Sequence, residues 1–384
     1  MKRYLEDEFS RTFGIKSHKF FYSPGRVNLI GEHTDYNGGY VFPCALDFGT
    51  YGAVLFRDDR KVRLASGNFD PICEASIDDL HYDSADGWAN YPKGVLAELL
   101  KAGCDFGGFD MYIWGDIPSG AGLSSSASLE LLVAVTVNKL FDCGLSMLDM
   151  ILLCQRAENQ FVGVNCGIMD QYAVGFGKAG HAMLLDCQAV RHEYVPLDLN
   201  DHSIIISNTN KKRGLADSKY NERRSECEAA LALLQKEFDI TSLCRLSQED
   251  FEAHKHLLAK DPVLLARATH AVYENARTKD AVNLLNEGDV KRFGQLMNES
   301  HISLRDLYEV TGPELDALAE LAWQVDGVLG SRMTGAGFGG CTVSIVHKSA
   351  ADNFVQHVGE EYTKLTGLTA SFYFAQTGDG AGEL

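Results

Sequence analysis

The spacing of hydrophobic residues along the chain predicts a mixture of strands and helices. The segment Leu129–Phe141 is apolar on nearly every side of a helix, which is typical of a helix buried in a core. The preceding segment, Phe109–Gly115, is short and largely apolar, which favours a strand. Further strands are predicted at residues 19–22, 41–45, 50–56, 62–64, 181–186, 203–208, 341–346 and 370–375. Further helices are predicted at 2–13, 150–160 and 220–238, with three more between 261 and 330.

This order of elements indicates an α+β protein. A chain of 384 residues is long for a single hydrophobic core and is expected to form two domains. A polar link follows the predicted strand at 181–186, so we place the boundary near residue 190. The N-terminal domain is then 1–190 and the C-terminal domain 191–384. The glycine-rich end of the chain is expected to be irregular.

The loop before the core helix has the composition of a phosphate-binding site. Pro118–Ser128 combines glycines, which allow tight turns, with a run of serines. The helix that follows should present unpaired backbone N–H groups and the positive end of its dipole to this loop. The alternative is a Ser/Gly-rich loop that only caps a core helix. The residues predicted to hold phosphate groups are Gly120, Ala121, Gly122, Leu123, Ser124, Ser125 and Ser126.

Two common phosphate motifs do not match this loop. Gly115 and Gly120 have the spacing of a Walker loop, but Ala121 and Gly122 stand where lysine and serine or threonine are needed. A protein-kinase or dinucleotide fingerprint would need glycine in place of Ser125. Because the loop lacks lysine, a polyphosphate must be neutralised by backbone amides, a metal ion and basic residues from elsewhere.

Composition excludes several classes of partner. The net charge of −18 disfavours nucleic acid and anionic membranes, since an acidic surface repels both. Nothing in the sequence points to an obligate protein partner. The ten cysteines are scattered, without a Cys-x-x-Cys pair or zinc spacing, and are expected to be reduced core thiols. The charged start, Met1–Glu8, differs from a secretion signal and no apolar segment is long enough to span a membrane, so we expect a cytoplasmic protein.

An acidic segment near the N-terminus is a candidate for binding a sugar. Gly25–Gly39 reads Gly-Arg-Val-Asn-Leu-Ile-Gly-Glu-His-Thr-Asp-Tyr-Asn-Gly-Gly. Glu32 and Asp35, close to the lone Arg26, are able to accept charge-assisted hydrogen bonds from vicinal hydroxyls. The alternative is a solvated acidic turn in which Asn-Gly marks a hairpin.

These two segments carry a specific resemblance. Gly25–Gly39 resembles the N-terminal motif of galactokinases, and Pro118–Ser128 resembles the phosphate loop of the wider small-molecule kinases that include homoserine and mevalonate kinases. Met333–Gly340 resembles the third motif of these enzymes, which packs against the nucleotide site. The resemblance implies a two-domain sugar-kinase fold, with a mixed sheet and helices in the first domain and an antiparallel sheet backed by helices in the second.

The resemblance also implies an activity and its residues. The activity is transfer of the γ-phosphate of ATP to the anomeric hydroxyl of galactose, giving galactose 1-phosphate and ADP, the first committed step of galactose catabolism. Asp170 is the implied catalytic carboxylate and Arg26 stabilises the transferred group. Ser126 and Glu158 are the implied magnesium ligands, and Ser66 approaches the nucleotide. The residues implied to contact the sugar are Glu32, His33, Thr34, Asp35, Gly167 and Tyr220.

Each of these residues has a plainer interpretation on its own. Glu158 is otherwise a surface charge on a helix, Asp170 a helix cap, and Tyr220 a half-buried aromatic residue. Trp88 and Tyr91, at the start of a predicted helix, are candidates for contact with adenine or for ordinary packing.

Rival functions remain open at this stage. Another sugar, such as N-acetylgalactosamine or arabinose, is one alternative, and a sensor that binds sugar and ATP without turnover is a second. A dehydrogenase is a third, because Gly335, Gly337 and Gly340 match Gly-x-Gly-x-x-Gly. That fingerprint must open a helix, whereas the β-branched pattern of Cys341–Val346 predicts a strand.

Overall fold

The computed structural model describes residues 1–17, 19–118, 121–211 and 216–384, and for residues 216–218 the backbone alone. The strands are β1 (Lys19–Asn28), β2 (Tyr40–Val41), β3 (Pro43–Phe56), β4 (Lys61–Ser66), β5 (Cys73–Ser76), β6 (Phe109–Gly115), β7 (His181–Asp186), β8 (Arg191–Pro196), β9 (His202–Asn208), β10 (Val328–Thr334), β11 (Cys341–His347), β12 (Ser371–Ala375) and β13 (Gly382–Glu383). The helices are α1 (Lys2–Phe13), α2 (Asn90–Lys101), α3 (Ser125–Leu140), α4 (Met147–Arg156), α5 (Met169–Gly175), α6 (Ala216–Leu234), α7 (Gln248–His254), α8 (Pro262–Asn286), α9 (Val290–Ser303), α10 (Pro313–Trp323) and α11 (Ala351–Thr366).

Three sheets organise these elements. The first is mixed, with the order β13-β1-β3-β6-β4-β5, and only its β4–β6 pair is parallel. The second, with the order β10-β11-β9-β12, is antiparallel. The third is a small sheet with the order β2-β7-β8. A mixed sheet in the first half and an antiparallel sheet in the second confirm the predicted α+β class.

Helices pack on both faces of each large sheet: α1 lies on the face of the first sheet opposite to its main core, and α8 and α9 lie on one face of the second sheet. The first sheet packs against α2, α3, α4 and α5 through a core that includes Leu131, Leu132 and Met111, all fully buried. The second packs against α10 and α11 through Leu318, Phe354 and other apolar residues. As predicted, α3 is buried along most of its length. A helix held in this way fixes the position of its own N-terminus, where the phosphate loop ends.

Four local predictions were wrong. β1 does not end at Tyr22, because the register shift between Pro24 and Arg26 lets the strand pass the proline, which lacks an N–H, and continue to Asn28. The two strands predicted between 41 and 56 are largely the single strand β3. The polar link after residue 190 contains β8, and the C-terminal segment contains β13, which pairs with β1. Alternation is too short in these two strands to be recognised without their partners.

The expected reduced thiols also need a correction. Cys104 and Cys143 form a disulfide, with their Cα atoms 5.1 Å apart. Cys104 lies just after α2 and Cys143 just after α3. Two cysteines separated by 39 positions meet only through the packing of these helices, which the spacing of cysteines does not reveal. Among the described residues, none of the helices is long and apolar enough for a transmembrane span.

Candidate active site

The phosphate loop leads from β6 into the buried helix α3. Gly122 has a φ of 77°, which glycine adopts without cost, and Ser124, the residue before α3, has a φ of 60°. The backbone N–H of Arg26 donates to the carbonyl of Leu123 at 3.1 Å, which attaches the loop to β1. The first N–H groups of α3 have no partner within the helix and line this end of the site, as a phosphate cradle requires.

An arginine and an aspartate pair at the centre of the site. Arg26 donates from Nε to Oδ1 of Asp170 at 2.8 Å and from Nη2 to Oδ2 at 2.7 Å. Its Nη1 donates to the carbonyl of Gly122 at 2.7 Å. Ser124 donates its hydroxyl to Asp170 as well. The arginine side chain is 4% exposed and that of Asp170 is 27% exposed, so the carboxylate keeps access to the cavity.

Asp170 lies in the first turn of α5, where the helix dipole favours a negative charge. The cap position of α5 is Ile168 and no side-chain cap hydrogen bond is present, so the interpretation of Asp170 as a helix cap is wrong.

Glu32 is held by both halves of the chain. Its carboxylate accepts hydrogen bonds from Asn28, from the backbone N–H of Gly335, from Thr334 at 3.3 Å and from Arg332 at 3.5 Å. Burial raises the pKa of Glu32, while the charge of Arg332 opposes this shift. The network attaches the third glycine motif to the N-terminal acidic segment.

Asp35 and Gly167 face each other closely. A Cβ atom on Gly167 would lie 1.8 Å from Oδ2 of Asp35, so this position tolerates only glycine while the carboxylate stays where it is. Burial, followed by the charge of Asp170, raises the pKa of Asp35 to about 7. A carboxylate that costs this much to bury is expected to have a polar ligand.

His33 and Tyr220 form an aromatic wall next to these acids. Their ring centroids are 5.5 Å apart. Burial lowers the pKa of His33 to about 3, so its ring is neutral at physiological pH. Both ring nitrogens have partners in the protein, with Nδ1 2.8 Å from the hydroxyl of Tyr36 and Nε2 3.3 Å from the carbonyl oxygen of Ala336. Both nitrogens of His33 are therefore engaged within the protein, although the residue lines the cavity.

Glu158 and Ser126 lie at the other end of the site. Glu158 is on a π-helical turn, Ala157–Val162, that continues α4, and such turns are frequent at functional sites. Ser126 hydrogen-bonds to Glu158, and Gln171 donates to its Oε2 at 2.6 Å. Burial and the charge of Asp170 raise the pKa of Glu158 to about 7.

This end of the site fits magnesium. In the described part of the chain, no group of three or more His, Cys, Asp or Glu residues makes a metal cage by itself. Magnesium does not need one, because it accepts one or two carboxylates together with waters and phosphate oxygens. One carboxylate and one hydroxyl, in a cavity next to a phosphate cradle, supply suitable hard oxygen ligands.

Most of the predicted residues line one cavity of about 260 Å³. The predicted residues that line it are Arg26, Glu32, His33, Asp35, Gly122, Ser124, Ser125, Ser126, Glu158, Gly167, Asp170 and Tyr220. Glu32, Asp170 and Ser126 therefore share a cavity, as the sequence hypothesis requires.

Four predicted residues do not line the cavity. Thr34 donates its hydroxyl to the carbonyls of Gly31 and Tyr40 and is fully buried. Ala121 and Leu123 pack in a hydrophobic core, and Ser66 lies at the end of β4. Gly120 is outside the described residues.

Other residues of the site were not on the list predicted from the sequence. Gly335 and Ala336 line the cavity from the third glycine motif, which the sequence did single out. Tyr91 also lines it, although the sequence left it between adenine contact and packing. The remaining lining residues, Val164, Cys166 and Met169, carried no signal beyond their position beside Gly167 and Asp170.

Comparisons with known proteins agree with this geometry. The model described as "Galactokinase galactose-binding signature" matches residues 7–55, "GHMP kinases N terminal domain" matches 90–178, and "GHMP kinases C terminal" matches 281–364. The galactokinase of Fusobacterium nucleatum is 57% identical over 95% of this chain and 94% of its own. That of Clostridium acetobutylicum is 55% identical over 98% of this chain and 97% of its own.

Solved structures give the same result. A galactokinase from Lactococcus lactis complexed with galactose has a TM-score of 0.97 and 48% identity, with both chains covered completely. The mevalonate kinase of Methanococcus jannaschii shares the fold, with a TM-score of 0.66 and 17% identity over 94% of this chain and 99% of its own. The chain therefore belongs to the galactokinase family of the GHMP kinases.

Proposed function

We propose that this chain transfers the γ-phosphoryl group of ATP to the anomeric hydroxyl of galactose, releasing galactose 1-phosphate and ADP. The observation that carries the proposal is the single cavity lined by Glu32, Asp170 and Ser126. The acidic segment that binds a sugar and the loop that binds phosphate must share a cavity if a phosphoryl group is to pass directly between the two ligands. The family membership supports galactose as the sugar and ATP as the donor.

The sugar is held by the acidic segment and the aromatic wall. The carboxylates of Asp35 and Glu32 accept hydrogen bonds from sugar hydroxyls, each contributing about 1.5–3 kcal/mol when desolvated. Tyr220 adds a hydroxyl, and His33 lines the cavity beside it. Gly167 leaves the space in which Asp35 sits. Thr34 contributes indirectly, by bonding the backbone of the turn that carries the acids.

Asp170 orients the anomeric hydroxyl and receives its proton. The hydroxyl oxygen bonds to the γ-phosphorus as the bond from phosphorus to the β-phosphate oxygen breaks, and ADP leaves. The two hydrogen bonds from Arg26 hold the carboxylate in place. Acid–base participation of this kind contributes roughly 10²–10⁴-fold in rate.

Arg26 also stabilises the transferred group. Three of its five N–H groups bond to residues that the structure describes, one each from Nε, Nη1 and Nη2. The remaining two are available to the equatorial oxygens of the phosphoryl group, whose charge spreads in the transition state. One guanidinium group thus connects the aspartate, the phosphate loop and the transferred phosphate.

The nucleotide's phosphates lie along the loop and the N-terminus of α3. Backbone N–H groups of Gly122 to Ser126 meet the oxygens, as the lysine-free loop requires. Ser126 and Glu158 are the proposed ligands of magnesium, which when bound neutralises the polyphosphate charge. Ser66, at the end of β4, and Gly120 stay predictions for the nucleotide. The cytoplasmic location and the domain boundary at residue 190 likewise stay predictions.

A substrate panel tests the proposal. ADP release is measured with magnesium and ATP against galactose, N-acetylgalactosamine, arabinose and glucose, and the product is identified by NMR. We expect turnover with galactose and a 1-phosphate product. Binding of galactose and ATP without turnover would indicate a sensor, and preference for another sugar would overturn galactose as the substrate.

A further inference from the structure

A chain of four polar side chains runs from the interior of the protein to the aromatic wall. Sγ of Cys227 lies 3.0 Å from the hydroxyl of Tyr308, which lies 2.8 Å from the hydroxyl of Tyr36. Tyr36 lies 2.8 Å from Nδ1 of His33. The other ring nitrogen, Nε2, lies 3.3 Å from the carbonyl oxygen of Ala336. Tyr36 and Tyr308 are not among the residues that line the cavity.

The direction of every hydrogen bond in this chain follows from one carbonyl group. The carbonyl of Ala336 only accepts, so Nε2 of His33 must carry the ring proton. Because the ring is neutral, Nδ1 accepts from Tyr36. The oxygen of Tyr36 then accepts from the hydroxyl of Tyr308. The oxygen of Tyr308 accepts from the thiol of Cys227, which completes the chain.

Segments far apart in the sequence meet in this chain. Tyr308 ends the π-helical turn Leu304–Tyr308 and is fully buried, and Cys227 lies on α6. The side chain of Asn37 donates to the carbonyl of His33 at 2.8 Å and to Sγ of Cys227 at 3.6 Å. His33 itself has a φ of 61°, a conformation that needs support from its surroundings.

The chain also sets the position of the sugar-facing tyrosine. The ring of Tyr220 lies 5.5 Å from His33 and 5.4 Å from Tyr36, measured between centroids. The ring of Tyr308 packs against the ring of His33, with their centroids 4.9 Å apart. If His33 rotated, Tyr220 would lose one of the two rings against which it packs.

We propose that Tyr36 and Tyr308 are positioning residues that hold His33 and Tyr220 in the orientation required for galactose. The inference rests on the proposed function, since it concerns the sugar end of that site. It assigns a role in sugar affinity to two hydroxyl groups that do not face the cavity.

Steady-state kinetics of Tyr36→Phe and Tyr308→Phe test the inference. Each change removes one hydroxyl and leaves a buried polar partner unsatisfied. We expect the KM for galactose to rise about tenfold for Tyr36→Phe, corresponding to roughly 1.4 kcal/mol, and less for the more distant Tyr308→Phe. The KM for ATP and kcat should stay within about twofold, because the phosphate loop and Asp170 are untouched. Cys227→Ser, which keeps a donor, should bind galactose better than Cys227→Ala.

Tyr362→Phe is the matched control. Tyr362 is also fully buried and donates its hydroxyl to the carbonyl of Thr209 at 2.8 Å, but it lies on α11 away from the cavity. We expect Tyr362→Phe to lose about as much thermal stability as Tyr36→Phe, with an unchanged KM for galactose. An equal rise in this KM for the control, or a KM unchanged by Tyr36→Phe, would overturn the inference.

A measurement on the wild-type protein keeps the inference testable if a variant does not fold. The nitrogen NMR signals of His33, assigned by their loss in His33→Asn, should show a neutral ring with the proton on Nε2 at pH 7. A proton on Nδ1, or a charged ring, would overturn the chain of donors. This readout does not depend on turnover, so failure of the galactokinase assay with wild-type protein would count against the proposed function alone.

Discussion

Arg26 and Asp170 form a two-point ion pair in the middle of the cavity, with nitrogen to oxygen distances of 2.8 and 2.7 Å. The arginine comes from β1 and the aspartate from the first turn of α5. A charge pair of this geometry fixes both side chains, because a guanidinium group and a carboxylate meet in one plane. Its position between the phosphate loop and the acidic segment connects the two halves of the proposed reaction.

Removal of Asp170 should affect turnover more than sugar binding. In Asp170→Ala we expect kcat to fall about 10²-fold or more, with a much smaller change in the KM for galactose. Asp110→Ala is the control, since Asp110 is also buried and paired, with Arg63 at 2.7 and 2.5 Å, but lies outside the cavity. Near-normal turnover in Asp170→Ala would contradict the proposed role.

Arg26→Lys tests the geometry of the pair rather than its charge. Lysine keeps the positive charge but cannot bind Asp170, Gly122 and a phosphoryl group from one planar fork. We expect kcat to fall about 10²-fold, as for loss of a single transition-state donor. Arg63→Lys makes the same exchange at the Asp110 pair and should leave kcat unchanged. Equal activity in Arg26→Lys and wild type would show that charge alone suffices.

Gly167→Ala should impair galactose binding through Asp35. The new methyl group would overlap the carboxylate and displace it, so the KM for galactose should rise by about tenfold or more. Gly107→Ala is the control, since its nearest side-chain contact would be an ordinary 3.6 Å. The KM for galactose is the measurement, and an unchanged value in Gly167→Ala would exclude Asp35 from the sugar site.

The pKa of Asp35 predicts a pH dependence of galactose binding. With a pKa of about 7 in the folded protein, the carboxylate is mostly charged at pH 8 and mostly protonated at pH 6. If the charged form binds the sugar hydroxyls, the KM for galactose should rise up to about tenfold as the pH falls from 8 to 6. The reason is that the ionised fraction of the carboxyl falls about tenfold for each pH unit below its pKa. The Asp35→Asn variant should bind galactose weakly, and its KM should no longer rise between pH 8 and pH 6. A wild-type KM independent of pH would contradict the assignment.

The raised pKa of Asp35 also predicts that removing its charge stabilises the folded protein, while it weakens galactose binding. The ordinary pKa of an aspartate is 3.8, so the folded protein binds this proton more tightly than the unfolded chain. The free energy of unfolding therefore falls as pH rises from about 4 to 7, and the penalty is complete above 7. Asp35→Asn should raise the melting temperature at pH 8, by roughly 2–4 °C per kcal/mol, and should have less effect at pH 5. A lower melting temperature for Asp35→Asn than for wild type at pH 8 would count against a destabilising buried charge at Asp35.

Glu158→Gln should raise the magnesium requirement. The amide is a weaker ligand for a hard cation, so the magnesium concentration for half-maximal ADP release should increase about tenfold or more. Glu98→Gln replaces another buried carboxylate, one bonded to Arg156 and Lys101, and should leave this requirement unchanged. An unchanged requirement in Glu158→Gln would place the metal elsewhere.

Motifs and several long periodic elements were predictable from the amino-acid sequence, although the amphipathic helix α11 was missed. The buried helix α3, the three helices between 262 and 323 and the candidate residues of the acidic segment follow from local composition and spacing. The catalytic candidate Asp170 was found by resemblance, because one aspartate in a loop has no distinctive spacing. The short strands β8 and β13 were missed, since two to six residues of pattern are too few without the partner strand.

Contacts between distant residues required the folded chain. Three contacts depend on packing between residues more than a hundred positions apart. They are the pair of Arg26 with Asp170, the space beside Gly167 for Asp35, and the packing of Tyr308 against His33. Residue type and spacing carry the chemistry each segment is able to perform, because hydrogen-bonding capacity and helix formation are local. Orientation, burial and the resulting shifts in pKa arise only when several segments exclude water together, which is why they are properties of the tertiary structure.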